Sequence, residues 1–180
     1  KARANAEQNL KNARELFDSY LQQVFSQRGE GWVERSMPDI CEISSKLIDP
    51  GDEAYIDYPH IGAGNIVANT GELIKIKTAR EEALISGKFV FDSSMVLYSK
   101  IRPYLMKVCR PEFTGLCSAD IYPLRPKEKI VDKNYLFYLL LSKDFTNYAV
   151  AGSGRAGMPK VNRTHLFNYV VWLPSVSAQQ

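Results

Sequence analysis

The stretch MVLYSKIRPYLMKVCRPEFTGLCSADIYPL, residues 95–124, decides the fold class of this chain. Residues 95–99, 105–109 and 116–124 are rich in β-branched and aromatic side chains, which predicts three strands, and the basic segment Lys100–Pro103 bridges the first two. No regular alternation of strands with helices surrounds these runs. The stretch therefore predicts a mixed, irregular α+β domain rather than a parallel α/β fold.

Outside this stretch, the predicted elements are short. Strands are predicted over residues 32–35, 55–61, 73–77 and 169–173. Helices or helical turns are predicted over residues 38–44, 79–85, 135–141, 144–150 and 164–168. Short strands joined by turns, with a few helices among them, agree with the α+β class.

The first 27 residues have the pattern of one long helix that ends before Gly29 and Gly31. Its apolar residues recur at alternating spacings of four and three, the heptad spacing of a coiled-coil seam: Ala6, Leu10, Ala13, Phe17, Tyr20 and Val24. The helix either packs on its own domain or meets a partner helix, in this chain or in another. We favour the partner helix, because a long seam at the end of a chain is more than one small domain needs to cover.

The composition is that of an ordinary globular protein, with 45% hydrophobic and 24% charged residues. The net charge of +3 permits a nucleic-acid partner without requiring one. The three cysteines match no zinc spacing, so they are expected to be reduced core residues of a cytoplasmic protein. No apolar run is long enough for a membrane helix, and Lys1 is expected to mark a cut rather than a natural start.

Motifs for catalysis are not found in the sequence. Gly152–Gly157 has the letters of a dinucleotide-binding loop, but a predicted helix precedes it and no acidic residue follows at the required distance. Clustered carboxylates for a nuclease and a motif for amino methylation are also missing. His60 and His165 are expected to be surface or turn residues. The chain is therefore predicted to hold no metal and no cofactor and to catalyse no reaction.

Two basic segments have the features of a DNA reader. In the first, Lys100 and Arg102 lie two residues apart in an extended stretch, so their side chains would project from the same face. Lys100 is the predicted phosphate contact. In the second, residues 152–163, glycines surround Arg155, which is predicted to read guanine. A solvated turn and a flexible connector remain the alternatives for the two segments.

The order of several motifs resembles the target recognition domain of type I restriction-modification specificity subunits. These motifs are VLYSKIRPYL (96–105), GLCSADIYPL (115–124), GMPKVNR (157–163), WLP (172–174) and QQ (179–180). Residues 4–17 resemble the end of that family's conserved spacer helix. The resemblance implies a spacer helix at 1–28, a recognition domain at 29–174 and the start of the next conserved region at 175–180. The candidate DNA-binding residues are Lys100, Arg102, Tyr104, Ser118, Arg155, Lys160, Asn162 and Arg163.

By the same resemblance, the chain is a specificity subunit, or a fragment of one, that reads half of a bipartite target in double-stranded DNA. Methyltransferase subunits that use S-adenosylmethionine would dock on it, restriction subunits would join indirectly, and no membrane is involved. The helix seam (Leu10, Ala13, Phe17, Tyr20 and Val24) would pair with a second spacer helix in cis or with a second copy. A protein adaptor without DNA binding, or an enzyme with an unrecognised site, is the alternative. A steep fall of DNA affinity with salt would separate these classes.

Overall fold

The structure is a computed structural model that describes residues 2–154 and 157–180. Its helices are α1 (Ala2–Ser26), α2 (Met37–Ile40), α3 (Lys133–Leu141), α4 (Lys143–Ala151) and α5 (Arg163–Phe167). Its strands are β1 (Val33–Ser36), β2 (Cys41–Ile43), β3 (Leu47–Ile48), β4 (Pro59–Ile61), β5 (Lys77–Thr78), β6 (Lys88–Phe91), β7 (Val96–Ser99), β8 (Val108–Cys109), β9 (Gly115–Ser118), β10 (Ile121–Pro126) and β11 (Val170–Leu173). A mixed α+β domain after a long helix confirms the predicted class. No helix in the described part of the chain is both long and apolar enough to cross a membrane.

The strands of the described residues form three small sheets. The pair β1–β11 brings the two ends of the domain together. A second sheet has the order β2-β10-β7-β8, and a third has the order β3-β6-β9-β4-β5, in which β4 and β9 run parallel. Many paired strands are not consecutive in the sequence, so the chain must cross over between distant parts. These crossovers explain the irregular appearance of the fold.

Strand β7 separates two hydrophobic cores. All four of its residues are buried, and they alternate in direction. Val96 and Tyr98 belong to the larger core, which α3 and α4 cover, whereas Leu97 belongs to a smaller core beneath the third sheet. The predicted strand over 95–99 is thus the centre of the domain. Burial on both faces explains its almost continuous apolar sequence.

The helices that cover the larger core begin at side-chain caps. The Asp132 carboxylate accepts hydrogen bonds from the backbone N–H groups of Asn134 and Tyr135, at 2.7 and 3.2 Å, and so caps α3. The Ser142 hydroxyl caps α4 by accepting from the Phe145 N–H. Both helices begin and end within two residues of their predicted bounds.

Several sequence predictions about the rest of the domain are wrong in whole or in part. Of the strand predicted over 55–61 only β4 forms, because residues 55–58 are turns and a bend. The single strand predicted over 116–124 is two strands, β9 and β10, which belong to different sheets and are separated by a turn at Ala119–Asp120. Residues 79–85 are turns rather than a helix, because Ala83 has a φ of 48°, outside the right-handed helical region. Lys75, with a φ of 53°, likewise interrupts the strand predicted over 73–77.

Helix α1 contacts the domain near its carboxyl end. The Phe25 ring packs edge-on against Tyr135 with 5.1 Å between centroids, and Phe17 packs in the same way against Tyr138 at 5.7 Å. The predicted seam is therefore divided: Val24 is half-buried and Phe17, although exposed, contacts the domain, whereas the remaining members are exposed, namely Ala6, Leu10, Ala13 and Tyr20. The structure shows the contact of α1 with its own domain, and the pairing of its exposed residues with a partner helix stays a prediction.

Candidate nucleic-acid interface

The two basic segments that the sequence singled out lie side by side. We call residues 100–106 and 157–162 the paired loops. The Val161 N–H donates to the Lys100 carbonyl at 2.8 Å, and the Arg102 N–H donates to the Pro159 carbonyl at 2.8 Å. Ile101 and Lys160 form an isolated antiparallel bridge between these bonds. The backbone therefore fixes the spacing of side chains that come from distant parts of the sequence.

Arg102 has a left-handed backbone, with φ 49° and ψ 61°. For a residue with a Cβ this conformation costs roughly 1–2 kcal/mol. The bond to Pro159 and the bond from the Leu105 N–H to the Arg102 carbonyl, at 2.9 Å, hold the residue in this conformation. Its side chain is exposed, as is that of Tyr104. A conformation of this kind at an exposed arginine is a frequent feature of binding sites.

Lys100 and Lys160 share one acidic partner, Asp120. The Asp120 Oδ1 atom lies 3.1 Å from Lys160 Nζ and 3.9 Å from Lys100 Nζ. Lys100 Nζ also donates to the Ala119 carbonyl and lies 5.0 Å from the centroid of the Tyr122 ring. Burial, and then the nearby Lys160 charge, lower the pKa of Lys100. Only 13% of the Lys100 side chain is exposed, so this lysine is held inside the protein surface rather than extended from it.

Asn162 and Ser118 have local structural bonds of their own. The Asn162 Oδ1 atom accepts from the His165 N–H at 2.7 Å, and so Asn162 caps α5. The Ser118 hydroxyl accepts from the Asp120 N–H at 3.2 Å and so shapes the turn between β9 and β10. Asn162 and Arg163 are exposed at the start of α5, whereas Ser118 is half-buried.

The predicted DNA-binding residues thus fall into three groups. Those exposed on or beside the paired loops are Arg102, Tyr104, Asn162 and Arg163. Those half-buried around the β9–β10 turn are Lys100, Ser118 and Lys160. Arg155 lies outside the described residues. Sequence reasoning missed Asp120, although its place in the motif resembling recognition domains, directly after Ser118 and Ala119, was a usable signal.

The two histidines lie outside the paired loops. Within residues 2–154 and 157–180, no three His, Cys, Asp or Glu residues are grouped so as to bind a metal ion. His60 is buried rather than on the surface, and its Nδ1 atom lies 2.7 Å from the Glu82 carboxylate. His165 stacks on Tyr148 at 4.1 Å between ring centroids.

Two solved structures share the architecture of a helix followed by an irregular α+β domain. The HsdS subunit from Thermoanaerobacter tengcongensis superposes with a TM-score of 0.72 at 19% identity, over 85% of this chain and 40% of that one. A structure that describes the assembly and conformational transition of a type I R-M system gives a TM-score of 0.71 at 21% identity, over 82% of this chain and 39% of that one. At these identities the similarity shows the shared fold.

The sequence comparisons identify the family. The family model for the type I restriction modification DNA specificity domain matches residues 29–180. The type I restriction enzyme EcoDI specificity subunit of Escherichia coli is 34% identical over 151 residues, which cover 82% of this chain. The chain therefore belongs to the family of type I restriction modification DNA specificity domains, as its motifs predicted. It spans 32% of the length of the EcoDI subunit.

Proposed function

We propose that this chain reads one half of a bipartite target in double-stranded DNA, as part of a type I specificity subunit. The observation that carries the proposal is the surface of the paired loops, where exposed cationic and polar side chains lie on a hydrogen-bonded frame. Cationic side chains position a protein on phosphates, and polar side chains on a fixed frame can read base edges. Membership of a DNA specificity family supports the same function.

Arg102 and Arg163 are the proposed phosphate contacts. Both side chains are exposed, and the frame of the paired loops and the start of α5 fix their backbones. Asn162 and Tyr104 are the proposed polar contacts, because the Asn162 amide retains its N–H donors after capping α5 and the Tyr104 side chain is exposed. Guanine reading by Arg155 remains a prediction from the sequence.

Lys100 and Lys160 receive a different role in this proposal. Their ammonium groups bind Asp120, and Lys100 is largely covered. We propose that both lysines position the turn between β9 and β10, and that they add positive potential without extending to a phosphate. This role replaces the phosphate contact that the sequence predicted for Lys100.

The rest of the complex would supply the chemistry. We propose that methyltransferase subunits dock on this chain, that restriction subunits join through them, and that this chain contributes recognition without catalysis or a cofactor. The exposed part of α1, with Leu10 and Tyr20, would pair with a second spacer helix in the same longer protein or in a second copy. Such pairing would set the distance between two recognition domains.

The test is the salt dependence of duplex binding by the chain and its variants. The affinity of wild type should fall steeply between low and physiological salt, and the slope should fall by about one for each phosphate contact removed, in Arg102→Ala and in Arg163→Ala. Arg3→Ala is the matched control, because Arg3 is an exposed arginine on α1, far in sequence from the paired loops, and should keep the wild-type slope. Binding that does not depend on salt would refute DNA reading and favour a protein adaptor. Methyl transfer by the chain alone with S-adenosylmethionine would refute the non-catalytic role.

A further inference from the structure

We infer that Asp120 is a specificity-determining residue, which accepts a hydrogen bond from the exocyclic amino group of a cytosine or adenine in the target. This inference rests on the proposed DNA-reading function and assigns one part of it to a residue that the sequence did not single out. Asp120 is the carboxylate between the two lysines at the edge of the paired loops.

The position of the carboxylate is fixed from several sides. The Asp120 N–H donates to the Ser118 hydroxyl at 3.2 Å, and its carbonyl accepts from the Lys100 N–H at 3.0 Å. Lys160 Nζ donates to Oδ1 at 3.1 Å. A group held in this way has lost most of its conformational freedom before any ligand arrives, which is the condition for selective recognition.

The second carboxylate oxygen is available. Among the described residues, the polar contacts of the Asp120 side chain are all made by Oδ1, and Oδ2 has no hydrogen-bond partner. The side chain is 43% exposed. A carboxylate oxygen can only accept hydrogen bonds, so it favours the amino groups of cytosine N4 and adenine N6 and repels the keto oxygens of guanine and thymine.

The neighbouring charges allow an acid to approach DNA. An isolated carboxylate would be repelled by phosphates, but here two ammonium groups lie within 4 Å of one oxygen, so the three groups together carry a net positive charge. Lys100 is 13% exposed and cannot leave easily to neutralise a phosphate. The lysines therefore both orient the carboxylate and offset its charge.

The experiment begins with selection of bound sequences by the chain from a randomised duplex library. In the selected duplex, each adenine is then replaced in turn by purine and each cytosine by 2-pyrimidinone, which removes one exocyclic amino group at a time. One replacement should weaken wild-type binding about tenfold, and the same replacement should have little effect on Asp120→Ala, whose side chain has no hydrogen-bond acceptor. Asp120→Ser is the second variant, and it should also lose the dependence on that amino group.

Asp92→Ala is the matched control. Asp92 has a similar exposure, 39%, and a cationic partner, with 2.6 Å from its Oδ2 atom to Arg125 Nη2. Asp92 follows Phe91, which pairs with Gly115 at one end of strands β6 and β9. Asp120 lies two residues after Ser118, which pairs with Lys88 at the opposite end of the same two strands. This variant should keep the wild-type pattern of amino-group dependence.

The possible failures are distinguishable. If no amino-group removal weakens wild type, or if the sensitive removal weakens the Asp120 variants equally, the role of Asp120 is refuted while DNA reading stands. If both Asp120 variants fail to fold, the replacements in the duplex bound by wild type decide the outcome. If removal of no single amino group weakens wild-type binding, the inference is refuted. If wild type enriches no sequence, the proposed function itself fails and the inference fails with it.

Discussion

The Tyr122 hydroxyl donates a hydrogen bond of 3.1 Å to the carbonyl of Val161 and so joins β10 to the second of the paired loops. Tyr122 is 7% exposed, and burial raises the pKa of its phenol, so the hydroxyl stays protonated and able to donate. The same ring lies beside Lys100. One buried tyrosine thus connects the central sheet with the surface proposed to read DNA.

Tyr122→Phe should lower the free energy of unfolding by about 1 kcal/mol, because it removes one buried hydrogen bond and leaves the ring in place. DNA affinity should fall uniformly for target and non-target duplexes as the second loop loosens. Urea unfolding and duplex titration measure the two effects. The control is Tyr104→Phe, since Tyr104 is 54% exposed and its hydroxyl should not affect stability. An unchanged unfolding free energy in Tyr122→Phe would show that the bond does not hold the loop.

The fold was predictable where local sequence signals agree with tertiary packing. Helices α3 and α4 were predicted from their apolar residues, and the structure adds the caps Asp132 and Ser142 that begin them. Strand β6 was missed, because its four residues lie just after a segment that the sequence pattern predicted to be a helix. Its place between β3 and β9 depends on pairing with residues far along the chain, which no local pattern encodes.

The candidate site was predictable in its composition but not in its geometry. Basic residues at 100–102 and 160–163 were recognisable from charge and from the family motifs. The contact between Ile101 and Lys160 was not, because it depends on the crossover that brings the two loops together. Lys160 reaches Asp120 through the same contact, whereas Lys100 reaches it through the pairing of β7 with β10. The prediction that Lys100 binds phosphate could take account of neither contact.

Helix α1 should depend on its carboxyl end for attachment to the domain. Phe25→Ala should destabilise the chain by about 2 kcal/mol, below the value for a fully buried phenylalanine because Phe25 is half-buried against Tyr135. Leu10→Ala should change the stability by less than about 0.5 kcal/mol, because Leu10 is 55% exposed. Urea unfolding compares the two variants. Equal losses would mean that α1 packs along its whole length in solution.

The exposed part of α1 should drive self-association at high concentration, because Leu10 and Tyr20 (62% exposed) leave apolar area uncovered. Leu10→Glu with Tyr20→Glu should keep the chain monomeric in sedimentation without lowering its melting temperature. Gln8→Glu with Asn12→Glu adds the same charge on a polar side of the helix, where these residues bond to each other, and should behave as wild type. A wild-type chain that stays monomeric at every concentration would argue against the exposed part of α1 as a docking surface.

His60 should make stability depend on pH. Burial lowers the pKa of His60 below its ordinary value of 6.5, although Glu82 opposes this shift. The unfolded chain therefore binds a proton at higher pH than the folded chain does. The stabilising contribution of neutral His60 is complete above pH 6.5 and is lost as the pH falls through the folded pKa.

Urea unfolding at a series of pH values tests this dependence. His60→Gln should remove the loss of stability that begins below pH 6.5. Glu82→Gln should enlarge it, because the carboxylate that favours protonated His60 is gone. If wild type and His60→Gln show parallel stability curves over this range, the histidine does not titrate as its surroundings predict.

The three cysteines should be unreactive in the folded chain. All are buried, and burial raises the pKa of the Cys41 and Cys109 thiols to about 12 and raises that of Cys117 as well. Since the thiolate is the reactive form and the sulfur atoms are covered, a disulfide reagent at mildly alkaline pH should modify none of them until the chain unfolds. Ser45→Cys places a thiol at an exposed position and provides the reference rate for a free surface thiol. The native chain should release no chromophore on the timescale of that reference, and guanidinium should then expose three thiols. A native cysteine that reacts as fast as the introduced one would mean that one of the two cores opens readily. The paired loops would then not rest on a rigid frame.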